Sequence, residues 1–304
     1  MSSLIYTTLE LSLIGSLTVL GLYLSYTVLN VCDLSTDGCF TLGACVAAVF
    51  CLSGHPYLAV VAAVVSGMIS GLIVSLLQTY FGINSLLSGI IVNTGLYSIN
   101  IAIMGNSSLL NMNKADTIYT LVKELCKDTI FKSNSFLLVD IFFVLIVILL
   151  LNSFLKTRIG LAIKATGDNA TMVEASSINP NITTIIGLCI SNSFTALSGA
   201  LLAMSQKSVN IDIGSGMVTI ALASLLIGRI LYRKNKTSVK LLCALIGTMI
   251  FRSIYALALR LNMPAYLLKL VSALIVALTI SIPYIRSQIP LLRRRIQISK
   301  GVRQ

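Results

Sequence analysis

The chain has 304 residues, of which 56% are hydrophobic and 11% are charged, whereas an ordinary soluble domain has about 25% charged residues. This composition excludes a soluble globular domain and indicates a membrane protein. The net charge of +12 does not indicate nucleic-acid binding, because aromatic and basic residues do not alternate on a polar face, and cytoplasmic loops of membrane proteins are rich in Lys and Arg.

Long apolar runs follow one another along the chain, and they lack the alternation of barrel strands. A hydrocarbon core about 30 Å thick needs about 20 apolar helical residues. Nine candidate spans lie near 9–29, 34–51, 58–80, 84–104, 136–155, 181–204, 215–232, 239–258 and 266–285. The prediction is one all-α, polytopic transmembrane helix bundle over residues 1–304, with about eight to ten spans.

The second span is short and contains Asp33, Thr36, Asp37 and Gly38, which predicts a broken or re-entrant helix. An unwound backbone at this depth must meet water or substrate, which makes Asp37 a candidate for the substrate pathway. Alternatively, Ser35, Thr36 or Asp37 is the N-cap of the helix that follows. Asp33 is expected nearer the cytoplasmic end, in contact with solvent.

Basic residues collect in alternate connections between the spans. They are Lys156, Arg158 and Lys164; Arg229, Arg233, Lys234, Lys236 and Lys240; and the basic residues of the tail 286–304. Since cytoplasmic loops accumulate Lys and Arg, this side is predicted to be cytoplasmic, together with the C-terminus. The sequence leaves the side of the N-terminus open.

The loop of residues 105–135 then lies outside the cell. Within it Ile118, Leu121, Val122 and Leu125 share one helical face, which predicts an amphipathic helix on the outer surface. This helix either caps the bundle at the headgroup level or receives an external partner.

Two stripes of small residues predict close helix packing, because helices in lipid associate through small side chains. They are Ala63, Gly67, Gly71 and Ser75 in the third span, and Gly187, Ser191, Thr195, Gly199 and Ala203 in the sixth.

The stretch "KATGDNATMVEASSINPN", residues 164–181, interrupts the apolar pattern on the cytoplasmic side. Gly167 permits a turn, Asp168 and Asn169 are N-cap residues, and Thr171 with Glu174 has the spacing of a capping box. A short helix is predicted from about Ala170 to Ser177, stopped before Asn179 and Pro180. It either docks into a groove of another protein or rests on the inner leaflet.

Polar residues within the spans are candidates for the substrate pathway. Asn93, Tyr97 and Asn100 lie on one face of the fourth span; they either line a passage for a zwitterion with an aromatic side chain or form interhelical hydrogen bonds. Arg252 in the eighth span either pairs with an acid, binds a substrate carboxylate, or extends outward with Arg260.

No catalytic residues and no metal site are predicted. His55 is the single histidine, which excludes a histidine pair for a metal, and a Ser/His/Asp set cannot be assembled. The chain is therefore not expected to be an enzyme. An ion-coupled transporter would need carboxylates within its spans, and only Asp37, Glu10 and Asp140 come near, the last two at predicted span ends.

Four segments resemble, in order, permeases of ABC importers of the branched-chain amino acid and ribose superfamily, closest to the tryptophan/tyrosine uptake subgroup. They are "DLSTDGCFTLGACVAAV", "GINSLLSGIIVNTGLYSINIAIMG", "AIKATGDNATMVEASSINPNITTIIGLCISNSFTALSGALLA" and "GSGMVTIALASLLIG". The chain departs from the subgroup at Asn169, Ala170 and Thr171, where Asn-Pro-Glu is usual, and at Ser177, where Gly is usual.

The resemblance implies an importer of a small organic solute, an amino acid and in this subgroup an aromatic one, in the bacterial plasma membrane. It implies a second permease copy, an extracytoplasmic substrate-binding protein and a cytoplasmic ATPase. The ATPase would bind the coupling-helix region 164–180 through Gly167, Asp168, Asn169, Met172, Val173, Glu174, Ala175 and Ile178. The sequence has no Gly-Lys dipeptide and so no phosphate loop; no cofactor is expected in this chain, and ATP and Mg²⁺ would bind the partner.

Overall fold

A computed structural model describes residues 2–125, 134–231, 236–260, 270, 272–279 and 281. Residues 126–133 of the predicted outer loop, Arg233 and Lys234, half of the predicted ninth span and the tail 286–304 lie outside the described residues. The helices are α1 Ser2–Leu22, which continues as a π-helix Tyr23–Val28, α2 Thr36–Leu52, α3 Pro56–Thr79, α4 Ser85–Ile103, α5 Ile118–Leu125, α6 Ser135–Phe154, α7 Arg158–Asp168, α8 Ala170–Ala175, α9 Pro180–Gln206, α10 Met217–Leu231 and α11 Thr237–Arg260. Strands β1 Leu109–Asn111 and β2 Ser208–Asn210 pair antiparallel.

Six of the described helices are long and apolar enough to cross a membrane. They are Ile5–Val28, Pro56–Thr79, Ser85–Ile103, Ser135–Phe154, Pro180–Gln206 and Thr237–Arg260. The predicted all-α polytopic bundle is therefore confirmed. Helices α2 and α10 are apolar but shorter, so the predicted second and seventh spans are not single membrane-length helices.

Helix α9 is the central element of the bundle, and small residues let its neighbours approach it closely. A Cβ on Gly71 would lie 2.5 Å from the Leu188 carbonyl oxygen of α9, and Gly67 contacts the backbone at Asn192 in the same way. On another face of α9, Gly199 packs directly against the Phe40 carbonyl of α2. Both predicted stripes are confirmed as packing surfaces, because only small residues permit such backbone contact in lipid.

The two ends of the bundle differ. At the sheet end, defined by β1 and β2, Ser205 of α9 donates a hydrogen bond to Glu10 of α1. At the α8 end, defined by α7 and α8, Gly167 packs against the backbone of Val28 at the end of the π-helix. Helix α1 therefore runs antiparallel to α9, and the N-terminal residues lie at the sheet end.

The chain between the π-helix and α2, residues 29–35, is not helical. It returns from the α8 end to the level of Asn192, whose side-chain amide donates to the Ser35 hydroxyl at 3.2 Å. Asp33 accepts from the Ser35 backbone N–H at 2.8 Å and is only 1% exposed. The predicted broken helix is present, but Asp33 is buried and not in contact with solvent, because the segment runs inside the bundle.

Candidate functional site

Helices α2 and α10 begin against each other inside the bundle, and Asp37 joins them. Its carboxylate accepts from the backbone N–H of Gly216 at 2.9 Å and of Val218 at 2.8 Å. The first N–H groups of a helix lack partners within the helix and carry a partial positive charge, so the carboxylate stabilises the start of α10. Gly214 packs on the Asp37 carbonyl and leaves no room for a side chain.

The predicted N-cap of α2 is therefore only partly correct. Ser35 occupies the N-cap position of α2, but its side chain makes no capping hydrogen bond. Asp37 lies in the first turn of α2 and caps α10 instead. Because the Asp37 carboxylate accepts from two N–H groups at the start of α10, it fixes the starts of α2 and α10 next to each other, beside the predicted pathway.

The polar stripe of α4 faces the same place. Asn100 is 1% exposed, and its amide donates to the Gly38 carbonyl of α2 at 3.2 Å. Its side-chain oxygen is buried and has no hydrogen-bond partner. Tyr97, by contrast, is 50% exposed. Asn100 therefore forms the interhelical hydrogen bond that the sequence offered as one alternative, while the exposed Tyr97 leaves its predicted place along a substrate passage a prediction.

These groups line an open cavity of about 450 Å³, within the range of about 300–1,000 Å³ that small-molecule sites occupy. The residues that line it come from α2, from α4 and from the connection between β2 and α10. They are Asp37, Gly38, Thr41, Asn93, Thr94, Tyr97, Ser98, Asn100, Ile211, Asp212 and Ser215. Of the described residues in the lining, two are acidic and none is basic.

Four of the five residues predicted for the pathway, Asp37, Asn93, Tyr97 and Asn100, meet in this cavity. The connection that contributes Asp212 and Ser215 was not predicted from the sequence. A signal was available, because "NIDIGSGM" places polar residues and two glycines directly before a short apolar helix.

Arg252 is the fifth predicted pathway residue, and it does not line this cavity. It lines a separate space of about 120 Å³ between α1 and α11, together with Thr8 and Tyr255. Its guanidinium lies against Gly15, and its Nε is buried without a hydrogen-bond partner. A substrate in the larger cavity therefore makes no direct contact with Arg252.

The α8 region differs in detail from the predicted turn. Gly167 and Asp168 are the last residues of α7, so the turn is not at Gly167 but at Asn169. The Asn169 side chain accepts from the Met172 N–H at 3.1 Å and from the Thr171 hydroxyl at 2.7 Å. Asn169 is thus the N-cap of α8, and Thr171 is engaged by it and does not cap the helix.

One face of α8 is buried and the other is exposed. Val173 is 1% exposed and packs α8 onto the bundle, whereas Met172 is 60% and Ile178 39% exposed. The other predicted docking residues that are exposed are Asp168, Asn169, Glu174 and Ala175. A hydrogen bond of 2.8 Å between the Thr166 and Thr183 hydroxyls ties α7 to α9, so the exposed face is connected to the central helix.

Helix α5 covers buried carboxylates at the sheet end. Tyr119 of α5 is fully buried, and its hydroxyl donates to Asp140 of α6. Burial and the neighbouring carboxylates raise the pKa of Tyr119 well above its ordinary value. Asp140, at a predicted span end, is 1% exposed. The capping role of the amphipathic helix is supported by these contacts, while Lys123 and Glu124 stay exposed.

Six membrane-length helices in the described part of the chain, together with a polar cavity at the starts of two shorter helices, define a multi-pass membrane protein. Residues 4–280 match the family described as "Branched-chain amino acid transport system / permease component". The chain belongs to this family and is a permease.

Two curated relatives are similar over most of their length. The chain is 34% identical over 266 residues to the "Tyrosine transport system permease protein" of Clostridioides difficile (strain R20291), covering 87% of this chain and 86% of the relative. It is 30% identical over 285 residues to "Uncharacterized protein RP368" of Rickettsia prowazekii (strain Madrid E), covering 92% and 97%. No solved structure matches the chain.

Proposed function

We propose that this permease is the membrane-spanning subunit of an ATP-driven importer of an amino acid, with an aromatic amino acid as its substrate. The observation that carries the proposal is the polar cavity between α2, α4 and the start of α10. Polar side chains at membrane depth are costly unless they face water, substrate or a partner. The name of the tyrosine permease of Clostridioides difficile supports the choice of an aromatic substrate.

The orientation follows from the basic residues at the α8 end. Lys156, Arg158 and Lys164 lie there, and cytoplasmic loops are enriched in such residues. The α8 end and the C-terminus are then cytoplasmic in a bacterial plasma membrane, and the N-terminus and the sheet are extracytoplasmic. A substrate-binding protein would deliver solute at the sheet end, where the cavity begins.

A second copy of the chain completes the permease. Tyr97 and Ser98 are exposed on α4 at membrane depth, where hydroxyl groups facing lipid are unfavourable. Another copy packed on this face would enclose them together with the cavity. Lipid contacts the remaining apolar surface.

A separate ATPase subunit would bind the exposed face of α8. Met172 and Ile178 offer an apolar contact, and Asp168, Asn169, Glu174 and Ala175 surround it. Val173 and Gly167 hold the helix on the bundle, so a movement of α8 is passed to α1 and α9. This chain would need no cofactor, since ATP and Mg²⁺ bind the partner.

The test is ATP-driven uptake in proteoliposomes that contain the permease, its ATPase and its binding protein. The double variant Asp168→Lys/Glu174→Lys reverses two exposed charges at the docking face. We expect uptake to fall about tenfold or more, because partner groups that complement the two acids would then face charges of their own sign, and like charges at an interface disfavour association. Copurification of the ATPase with the permease is measured in parallel: the double variant should lose it, whereas the control Asp116→Lys, which changes an exposed charge at the opposite, sheet end, should retain it. Normal uptake by the double variant, with normal membrane insertion, would contradict the docking role.

The second candidate function is an ion-coupled transporter that works without an ATPase. The observation in its favour is the burial of Glu10 and Asp140, since carboxylates inside a membrane bundle are used in proton and ion relays. Uptake by the permease alone that follows an imposed ion gradient, and stops with an ionophore, would establish this function in place of the first.

A further inference from the structure

The cavity has a marked electrostatic character. Among the described residues, its lining includes the two acidic residues Asp37 and Asp212 and contains no Lys, Arg or His. The start of α10 would otherwise attract an anion, because helix N-termini bind negative groups. Asp37 already occupies that position through its bonds to Gly216 and Val218. An additional carboxylate entering the cavity would meet negative charge and, in the part of the chain that the structure describes, no basic side chain.

The cavity wall also holds one hydrogen-bond acceptor that has no partner. The Asn100 side-chain oxygen is buried, lacks a partner and belongs to a residue of the lining. A buried acceptor without a donor is unfavourable, and its amide nitrogen is committed to Gly38, so the acceptor is held in place. The half-exposed ring of Tyr97 adds an aromatic face, which attracts cations.

The position of Asp212 is held from both sides. On one side β2 ends at Asn210, which pairs with Leu109 of β1, and the Asn210 side chain accepts from the Asp212 N–H at 3.2 Å. On the other side Asp37 anchors Gly216 and Val218. The exposed Asp212 carboxylate is therefore presented at the cavity rim by an ordered connection.

We infer that the cavity recognises the ammonium group of its substrate, with Asp212 as the ionic partner, the Asn100 side-chain oxygen as an acceptor and the Tyr97 ring as a wall. An ammonium group supplies three N–H donors and a positive charge, which matches a lining of acceptors and acids. The inference rests on the proposed function and names the substrate group that the cavity binds. The substrate class is a primary amine, and the carboxylate of an amino acid points away from the two acids.

Direct binding to the purified permease in lipid nanodiscs tests this without the binding protein. Three probes share one ring: tyrosine, tyramine, which lacks the carboxylate, and 3-(4-hydroxyphenyl)propionate, which lacks the ammonium. We expect tyrosine and tyramine to bind and the propionate to bind at least tenfold more weakly. Asp212→Asn should weaken binding of both amines about tenfold, as loss of a hydrogen bond to a charged group does. The control Asp116→Asn should leave it unchanged.

Several results would overturn the inference: equal binding of the propionate, no binding of any probe, or amine binding that Asp212→Asn leaves intact. ATP-driven uptake by the complete transporter is measured in parallel. If uptake is ATP-driven but binding does not depend on the ammonium, the inference fails and the proposed function stands. If amine binding behaves as expected but uptake does not need ATP, the proposed function fails and the recognition site stands.

Discussion

The junction between α2 and α10 depends on one carboxylate, and Asp37→Ala tests its contribution. The substitution removes the acceptors of the Gly216 and Val218 N–H groups. A hydrogen bond to a charged group contributes about 1.5–3 kcal/mol, and Asp37 is only partly buried, which favours the lower value. Two such bonds give about 3 kcal/mol for Asp37→Ala. Asp37→Asn retains one acceptor oxygen and should cost about half as much.

The assay is thermal unfolding of the purified permease in detergent. About 2 °C of Tm per kcal/mol, the value for large domains, gives a fall of about 6 °C for Asp37→Ala and about 3 °C for Asp37→Asn. Asp116→Ala is the control, since it removes an exposed carboxylate at the sheet end, and its Tm should change by less than about 1 °C. A Tm for Asp37→Ala within about 1 °C of the parent would refute the view that this carboxylate holds the two helix starts together.

Two further predictions concern backbone geometry and packing. Ser177 has φ of 61°, where L-residues are strained and Gly is not, so Ser177→Gly should raise the Tm by about 1–2 °C; a lower Tm would contradict this. Gly199 packs on the Phe40 carbonyl, so Gly199→Ala should destabilise the permease by about 1–3 kcal/mol, measured as a lower Tm. The matched helical control is Gly95→Ala, where a Cβ meets nothing within 4 Å; equal losses in both variants would show that the close contact is unimportant.

Helical periodicity in the sequence was sufficient to predict that the polar residues of α4 share one face. Asn93, Tyr97 and Asn100 lie on one helix, so their common face follows from 3.6 residues per turn. The separate roles of Asn100 and Tyr97 did not follow, because burial depends on which helix packs alongside. In the same way the stripe of α9 indicated close packing, while its partners at Phe40 and Gly21 are set by the three-dimensional arrangement.

Several residues near the start of α8 are almost equally good candidates for its N-cap. Asp168, Asn169 and Thr171 are all good capping residues, and the sequence alone does not rank them. Packing of Gly167 against Val28 extends α7 through Asp168, which leaves Asn169 to cap α8. The contact between α7 and the π-helix, which is not visible in the local sequence, therefore decides that Asn169 is the N-cap of α8.

The sequence by itself determined that the chain is an all-α membrane bundle with a broken second span, because membrane thickness imposes a length and an apolar composition on each helix. It also located the interruption at residues 164–181 and the polar stripe of α4. Only the tertiary structure decided that Asp37 caps a helix 179 residues away, that Asp212 reaches the cavity and that Arg252 does not. These depend on which helices become neighbours, and a pattern read along one helix carries no information about its partners.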